Sequence, residues 1–393
     1  MDASKEVLWN RNFIMACLAY LLTGIAFTLF MPTIPLYLTE VLHIGHSEIG
    51  LVLSSYVLAL LFVRPFSGYL VDILSRKILY LIGIICFIAV FFGYYFAFTV
   101  IFFVLLRFVH GVFWGLSSVS ANTVAIDIIP SSRRSEGIGF FGVNMNIAMA
   151  VAPFIGIHIY EKHGFHFLIT IALMMGVLAI LAVFLIKVPH RPVVKEPKQP
   201  LSFDRFLLLN ALPIFFNQLF LAFGWGTLDA YAVLYGEDIG IASPAYFFLF
   251  LAAGIVISRI NSGRLVDRGF VHQVVIVAIT TVVAAFVSFA VFHNAYAYNI
   301  AALFIGIGYG LLFPALQTIY VNMAPASKRG TANSTYLTGF DLGVGAGLLT
   351  GGMVAQHFGG FGALFMLNAI FGGIALAWYA FSSRRIYNKH RLR

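Results

Sequence analysis

Four ionisable side chains stand inside long apolar stretches of this 393-residue chain: Arg107, His110, Asp229 and Asp341. A charge at the centre of a lipid bilayer costs about 2.5 kcal/mol or more, so it usually has a partner, a water-filled cavity or a function. Removal from water favours the neutral form of a carboxyl group, which makes Asp229 and Asp341 candidate proton carriers. His110 carries a side chain that titrates near neutrality, although a single histidine in such a place is also a common polar packing residue.

The elements that must position these residues are membrane-spanning helices. Hydrophobic residues make up 61% of the chain, charged residues only 10%, and the mean hydropathy is +0.95. A soluble domain carries about 25% charged residues. The apolar residues here form unbroken runs, whereas the strands of a membrane barrel alternate between apolar and polar residues. The composition therefore predicts an all-α polytopic membrane protein and excludes an ordinary soluble enzyme.

Twelve apolar segments are long enough to be transmembrane helices, since about 20 apolar residues span a bilayer. They cover residues 12–38, 47–71, 78–98, 101–128, 136–159, 167–186, 206–234, 244–263, 271–292, 297–322, 330–356 and 361–382. A polar stretch between the sixth and seventh segments is dense in proline and charge, which is typical of a linker. We predict an N-terminal six-helix bundle at 1–187, a cytoplasmic linker at 188–205 and a C-terminal six-helix bundle at 206–393.

Lysine and arginine lie almost entirely in one alternate set of loops, and Lys162 is the exception. Cytoplasmic loops are enriched in these residues, so the bias places both termini in the cytoplasm. The formal net charge of +9 thus reflects membrane topology and does not indicate a nucleic-acid partner. With this orientation Arg107 lies roughly 9 Å below the outer start of predicted helix 4, at 1.5 Å per residue, and Asp229 lies at a similar depth in predicted helix 7.

The two halves of the chain repeat at an offset of 195 residues. Residues 64–72 (RPFSGYLVD) match residues 259–267 (RINSGRLVD) at six of nine positions. The same offset pairs further glycines, prolines and arginines: Gly111 with Gly306, Gly115 with Gly310, Pro130 with Pro325, Arg134 with Arg329, Gly156 with Gly351, and Gly164 with Gly359. Copies that are six helices apart keep the same orientation, which predicts a parallel repeat about an axis along the membrane normal.

These features resemble the major facilitator superfamily over nearly the whole chain. Residues 68–77 read GYLVDILSRK, similar to the family's loop Gly-x-Leu-Ala-Asp-Arg-x-Gly-Arg-Lys, with Ile and Ser replacing the first Arg and the second Gly. Residues 107–111 (RFVHG) are similar to the Arg-x-x-Gln-Gly pattern of proton-coupled members. Residues 148–156 (AMAVAPFIG) resemble the antiporter motif Gly-x-x-x-Gly-Pro, with alanine in place of both glycines. Together they resemble the twelve-helix drug:proton antiporter branch.

The resemblance implies a cytoplasmic gate, in which charges at the helix ends hold the halves closed on the inner side. The matching residues are Gly68, Asp72, Arg76, Lys77, Asp127, Gly263, Asp267 and Arg268. An alternative is that the basic members only set topology against anionic lipid. Small residues also recur every four positions in predicted helices 5 and 11, which we expect to pack against the opposite half, either as a sliding interface or as static packing.

By the same resemblance, predicted helices 1, 4, 7 and 10 line a substrate cavity. Its candidate side chains, besides the four ionisable groups, are Phe27, Phe30, Trp114, Asn217, Gln218, Trp225, Phe313 and Gln317. Aromatic rings stack on planar or cationic ligands, but they also simply face lipid. Arg107 has three interpretations: an ion pair with Asp229, a contact to an anionic substrate, or a brace within the N-terminal half. Asp229 is alternatively a rim residue in water, and Asp341 is alternatively hydrogen-bonded within its own helix.

The sequence thus predicts a secondary active transporter in the plasma (inner) membrane, working by alternating access as a proton-coupled exporter of small amphipathic compounds. Alternatives are an importer or exporter of a specific metabolite, such as a sugar or organic anion, and a lipid translocase on the same fold. We expect a monomer without cofactor, energised by the proton gradient, with a small-molecule substrate and the bilayer as its partners. Neither a metal-ligand cluster nor a phosphate-binding loop indicates an enzyme or an ATP-driven pump.

Overall fold

The computed structural model describes residues 7–43, 46–188, 206–244 and 246–392. Within these ranges the protein is built of helices and contains no β-strand, which confirms the all-helical prediction. The helices are α1 (Arg11–Thr28), α2 (Phe30–Glu40), α3 (His46–Ile73), α4 (Arg76–Gly93), α5 (Val100–Ile128), α6 (Arg134–Leu185), α7 (Leu212–Asp238), α8 (Tyr246–Leu265), α9 (Val271–Val291), α10 (Ala295–Asn322), α11 (Arg329–His357), α12 (Gly360–Trp378) and α13 (Arg384–His390).

Two departures from the predicted helices have local causes. Predicted helix 1 is divided into α1 and α2 at Leu29, because Pro32 has no N–H to donate to the carbonyl of Thr28. Predicted helices 5 and 6 are the two arms of α6, which turns at Gly164, where φ is 78°. The repeat partner of that residue, Gly359, has φ of 103° between α11 and α12. Glycine adopts this left-handed conformation without steric cost, so both turns require it.

The described residues include ten helical stretches that are long and apolar enough to cross a membrane. One of them, Tyr246–Val291, runs through both α8 and α9. The first of them, Arg11–Thr28, is α1, and α2 follows it as far as Glu40. A helix of about 20 residues covers the hydrocarbon core, so the chain is a multi-pass membrane protein.

Residue contacts divide the chain into two compact units. Unit 1 is formed by Met1–Ser131, Phe140–Phe206 and Ser327–Ser334, and unit 2 by Ser132–Gly139, Leu207–Ala326 and Thr335–Arg393. Each unit therefore contains the beginning of one helix from the other half of the sequence, namely the start of α11 in unit 1 and the start of α6 in unit 2. The predicted linker at 188–205 lies outside the described residues except for Val188.

The sequence repeat recurs in helix packing. A Cβ on Gly111 of α5 would lie 2.5 Å from the carbonyl oxygen of Tyr56 in α3. A Cβ on Gly306 of α10 would overlap the carbonyl oxygen of Leu251 in α8, which is the residue 195 positions after Tyr56. Since only glycine permits such close backbone approach, the α3–α5 and α8–α10 pairs are copies of one packing arrangement.

Candidate functional site

Asp72, at the end of α3, caps the first turn of α11. Its Oδ1 accepts a hydrogen bond from the backbone N–H of Gly330 (2.7 Å), and its Oδ2 accepts from the N–H and the hydroxyl of Thr331 (both 2.7 Å). The first N–H groups of a helix have no partner within the helix and carry the positive end of its dipole. A carboxylate supplied from another helix therefore satisfies both the hydrogen bonds and the charge.

Gly68 allows α3 and α11 to approach closely enough for this cap. A Cβ on Gly68 would overlap the Ser334 side chain and lie 3.0 Å from the carbonyl oxygen of Gly330. The hydroxyl of Ser334 donates a hydrogen bond to the carbonyl of Arg64, one turn earlier in α3. The glycine at the start of the family motif is thus a contact point between two backbones.

A buried ion network surrounds the Asp72 cap. Arg76 donates to Asp72 (3.3 Å) and to the carboxylate of Asp127, at the end of α5. Arg329, the first residue of α11, donates from Nη1 to the other oxygen of Asp127 (2.9 Å). The Asp127 side chain is 1% exposed, and removal of one partner from such a buried network leaves an uncompensated charge that typically costs 3–5 kcal/mol. Lys77 lies apart from this network and donates to the carbonyl of Phe184 (2.8 Å).

Asp267, the repeat partner of Asp72, makes the equivalent cap on the first turn of α6. Its Oδ1 accepts from the N–H of Ser135 (2.9 Å) and its Oδ2 from the N–H of Glu136 (3.1 Å). Those two positions precede Gly330 and Thr331 by 195 residues. A Cβ on Gly263 would overlap Cα of Glu136 and lie 2.5 Å from its backbone nitrogen, so the glycine is required here too. We call the Asp72 and Asp267 sites the two helix caps.

Glu136 adds charge to the second cap. Its carboxylate accepts from Arg133 Nε (2.7 Å) and from Arg264 Nε (3.2 Å), and the hydrogen bond to Glu136 raises the pKa of Arg133. Arg268, which follows Asp267 in the motif, is exposed. The sequence motif does not indicate Glu136, Arg133, Arg264 or Arg329 as members of the caps. The repeat does identify Arg329 as the equivalent of Arg134.

The two caps differ at the ends of α5 and α10. The repeat counterparts of Asp127 and Arg76 are Asn322 and Val271, which carry no charge. The side-chain amide of Asn322 donates to the Tyr387 hydroxyl (3.4 Å). The backbone carbonyl of Asn322 accepts a hydrogen bond from the N–H of Leu392 (2.9 Å). The C-terminal segment therefore holds the end of α10 at the position where ion pairs hold the end of α5.

Arg107, in α5, is buried within unit 1, and two of its hydrogen-bond donors are unsatisfied among the described residues. Its side chain is 2% exposed, and its guanidinium carbon lies 4.6 Å from the centre of the Tyr56 ring. Its Nε and Nη1 have no hydrogen-bond partner among the described residues. A cation over an aromatic face gains about 2 kcal/mol when desolvated, which does not replace the lost hydrogen bonds of two buried donors.

His110, one turn after Arg107, is enclosed by aromatic rings. It is fully buried, its Nδ1 lies 3.2 Å from the Tyr94 hydroxyl, and its Nε2 has no partner among the described residues. The Phe87 and Phe91 ring centres lie 4.3 and 4.6 Å from that of His110. These contacts all come from helices of unit 1, as expected for a polar packing residue.

The aromatic candidates of the N-terminal half form part of the same core. Phe27 of α1 stacks on Trp114 (5.0 Å between ring centres) and on Tyr56 (5.1 Å), and each of the three is 6% exposed. Phe30 is 1% exposed and packs against Phe91 and other rings. In the conformation described here, these rings contact one another within unit 1.

The aromatic candidates of α7 and α10 pack against each other. Trp225 contacts the rings of Tyr309 (5.4 Å) and Phe313 (5.7 Å) in edge-to-face geometry. Asp229, one turn beyond Trp225 on the same face of α7, is exposed. The side chain of Asp229 therefore lies at the surface of α7, one turn beyond the aromatic contacts of Trp225.

The remaining polar candidates of α7, α10 and α11 are less exposed than Asp229. Asn217 is fully buried and donates to the carbonyl of Ala375 in α12 (2.6 Å). Gln218 is also fully buried, and neither polar atom of its amide has a partner among the described residues. Gln317 in α10 is 7% exposed, and Asp341 in α11 is half-buried; each interacts with neighbouring residues.

Three glycines of the small-residue stripes approach helices of their own sequence half. A Cβ on Gly156 would lie 2.5 Å from the carbonyl oxygen of Leu29, next to α1. Gly343 and Gly347 of α11 make equivalent approaches to the backbone of α7, at Leu219 and Phe223. These glycines therefore allow close packing of α6 on α1 and of α11 on α7.

Comparison with known proteins defines the class to which this fold and these caps belong. The model of the Major Facilitator Superfamily matches residues 16–338 and 272–391, and the chain belongs to this family of transporters. The predicted fold of twelve transmembrane helices in two pseudo-symmetric six-helix bundles is confirmed by this membership and by solved structures of the family. The protein is a membrane carrier and not an enzyme.

Particular relatives are similar over almost their full length. The multidrug resistance protein MdtG of Escherichia fergusonii is 25% identical over 401 residues, covering 98% of both chains. MdtG of Klebsiella pneumoniae is 27% identical over 385 residues, covering 94% of this chain and 92% of the relative.

Two solved structures share the fold. The human organic anion transporter MFSD10 (TETRAN) superposes with a TM-score of 0.79 at 17% identity, covering 94% of this chain and 98% of that one. The transporter FucP in its outward conformation superposes with a TM-score of 0.78 at 15% identity and the same coverage.

Proposed function

We propose that this protein exports small amphipathic compounds by proton-coupled alternating access. The observation that carries the proposal is the pair of helix caps, in which Asp72 and Asp267 hold the starts of α11 and α6 by hydrogen bonds to backbone N–H groups. Each cap gathers several hydrogen bonds on one carboxylate, so that movement of the carboxylate would release them together, which suits a gate that must open once per transport cycle. The multidrug resistance relatives support export as the direction.

Asp229 and Asp341 are the proposed proton carriers. Both lie in apolar helices, α7 and α11, and Asp229 is exposed beside the aromatic surface of Trp225 and Phe313. Protonation of a carboxylate in an apolar setting removes a charge that opposes movement through the membrane. A carrier of this kind needs no cofactor, because the proton gradient supplies the energy.

The proposed setting is the inner membrane, with both termini in the cytoplasm and a single chain as the working unit. The distribution of lysine and arginine supports this orientation. The proposed partners are a small-molecule substrate and the surrounding lipid, and no nucleic acid. The proposed domain organisation remains two six-helix bundles, at 1–187 and 206–393, with a cytoplasmic linker at 188–205.

A second candidate function, transport of an organic anion, is favoured by Arg107. Its buried guanidinium has two donors without partners among the described residues, and an anionic group would supply both the missing acceptors and the missing countercharge. The structural neighbour described as an organic anion transporter is consistent with this alternative. A sugar carrier resembling FucP and a lipid translocase are further alternatives on the same fold.

The test begins with a screen for compounds that raise the unfolding temperature of the purified protein, divided into cations, anions, neutral sugars and lipids. Hits are then offered to proteoliposomes with an imposed pH gradient. Antiport predicts accumulation when the vesicle interior is acidic, whereas proton symport predicts accumulation when the exterior is acidic. Headgroup-dependent movement of labelled lipid would indicate a translocase instead, and uptake insensitive to either gradient would overturn proton coupling.

A further inference from the structure

The last helix of the chain is longer than a membrane crossing. From Gly360 to His390 the backbone stays helical through α12, one π-helical turn (Tyr379–Ser383) and α13. Its 31 residues extend about 46 Å at 1.5 Å per residue, against a hydrocarbon core of about 30 Å. Roughly the last three turns, from about residue 380 onward, therefore emerge at the level of the lipid headgroups.

One face of these turns is docked on unit 2. Tyr379, Ser383 and Tyr387 are spaced four residues apart and are buried, with exposures of 0%, 0% and 4%. The Tyr379 hydroxyl lies 3.0 Å from Nδ1 of His272 at the start of α9, and the Ser383 hydroxyl donates to the carbonyl of Pro213 (3.1 Å).

The docked face ends at α10. Tyr387 accepts a hydrogen bond from Asn322, and the N–H of Leu392 donates to the Asn322 carbonyl. Nε2 of His272 also lies 3.0 Å from Oδ1 of Asn388. The C-terminal segment is therefore fixed to the end of α10, at the position whose repeat counterpart, Asp127, is held by ion pairs.

The opposite face changes from aromatic to basic along its length. Phe381 is 73% exposed, and Arg384, Arg385 and Lys389, the next residues on this side, are exposed. Trp378 lies at the border of the two faces: it is 42% exposed, and its indole N–H donates to the carbonyl of Pro213 (2.8 Å). The ion pairs among the described residues include none of these three basic side chains. Aromatic rings followed by basic side chains match the order of chemical layers at the edge of a bilayer.

We propose that Arg384, Arg385 and Lys389 form a binding surface for anionic phospholipid headgroups, and that lipid bound there clamps the end of α10 through the docked face. A soluble polyanion would contact the basic side chains but would leave the exposed ring of Phe381 in water, whereas lipid accounts for both parts of the face. The proposal rests on the membrane placement proposed above and is independent of substrate and coupling ion.

Binding is tested with the full-length protein in neutral detergent, titrated with short-chain phosphatidylglycerol and, as the reference, phosphatidylcholine. Each basic residue near an anionic surface contributes roughly a fivefold increase in affinity, so R384Q/R385Q/K389Q should bind phosphatidylglycerol at least about tenfold more weakly. The matched control, R384K/R385K/K389R, keeps all three charges and should bind within about twofold of the wild type. Equal binding by the neutral variant would overturn the proposal.

The clamp is tested by the unfolding temperature of the same proteins. Phosphatidylglycerol should raise it in the wild type, and this gain should fall in Tyr387→Phe, which loses the hydrogen bond from Asn322 but keeps every basic side chain and hence the lipid affinity. An undiminished gain in Tyr387→Phe would contradict coupling to α10. If the neutral triple variant does not fold, loss of wild-type binding at high salt tests the ionic contact, and salt-independent binding would overturn it. Neither measurement requires transport, so failure of the proposed transport activity would be seen separately.

Discussion

Asp72 and Asp267 occupy equivalent positions 195 residues apart, and each caps the first turn of a helix that begins in the other half of the sequence. The capped positions, Gly330–Thr331 and Ser135–Glu136, are themselves 195 residues apart. The exchange is therefore reciprocal, and it explains why contacts assign the starts of α6 and α11 to the units opposite their sequence halves.

Loss of one cap should impair transport more than folding. Asp72→Asn keeps the size of the side chain, but its amide nitrogen is unable to accept the backbone hydrogen bond that a carboxylate oxygen accepts. A loss of about 1–2 kcal/mol would shift a conformational equilibrium by roughly 5- to 30-fold. We expect transport to fall in this range while membrane abundance stays within about twofold of the wild type, measured by uptake and immunoblot. The control is Asp238→Asn at an exposed site; equal transport in both variants would argue against the cap.

Gly263→Ala should disturb the second cap by steric overlap. The added Cβ would meet the backbone of Glu136, which is unable to move aside as a flexible side chain does. Overpacking of this kind costs typically 1–3 kcal/mol, so we expect a lower unfolding temperature and reduced transport. Gly373→Ala is the control, because nothing lies within 4 Å of its added Cβ. If both glycine variants behave alike, close approach at Gly263 is not important.

Arg107→Met should separate stability from function. Replacement of a buried, incompletely bonded charge by an apolar residue is often neutral or stabilising by about 1–4 kcal/mol. We therefore expect an unchanged or higher unfolding temperature together with a loss of transport, most severe for anionic compounds. Arg107→Lys retains the charge and should keep part of the activity. A marked loss of stability in Arg107→Met would instead identify Arg107 as a structural brace within unit 1.

His110→Gln should leave the pH profile of transport unchanged. The ring is fully buried among Phe87, Phe91 and Tyr94, and a glutamine amide is able to replace its hydrogen bond to the Tyr94 hydroxyl. The measurement is the initial rate of uptake between about pH 5 and 8, the range in which histidine titrates. A profile that moves with this substitution would make His110 a proton carrier and contradict its assignment as a packing residue.

The sequence was informative where a pattern repeats or a chemical type is rare. Unbroken apolar runs predicted the helices, and the 195-residue offset predicted that Gly164 and Gly359 would be equivalent, as their shared positive φ shows. The loop motif singled out Asp72 and Asp267 as gate residues. It did not identify their partners, because a helix N-terminus offers backbone N–H groups that any residue type supplies, as Gly330 and Ser135 do.

Other site features depend on side-chain direction within a helix bundle, which a single apolar sequence does not encode. The contacts that Phe27 makes with Trp114 and with His110 inside unit 1 are an example. Nearly every face of such helices is apolar, so periodicity does not separate a lipid-facing ring from a core ring. For the same reason, the stripes of small residues gave no indication that they pack on α1 and α7.

Substrate-driven proton movement is the most direct test of the central claim. Proteoliposomes that contain a pH-sensitive dye receive a compound from the stabilisation screen on the outside, with no imposed gradient. Proton-coupled antiport predicts that the interior becomes alkaline as substrate enters, and that the double variant D229N/D341N loses this signal while still binding the compound. Entry of substrate into wild-type vesicles without any change in internal pH would contradict the account.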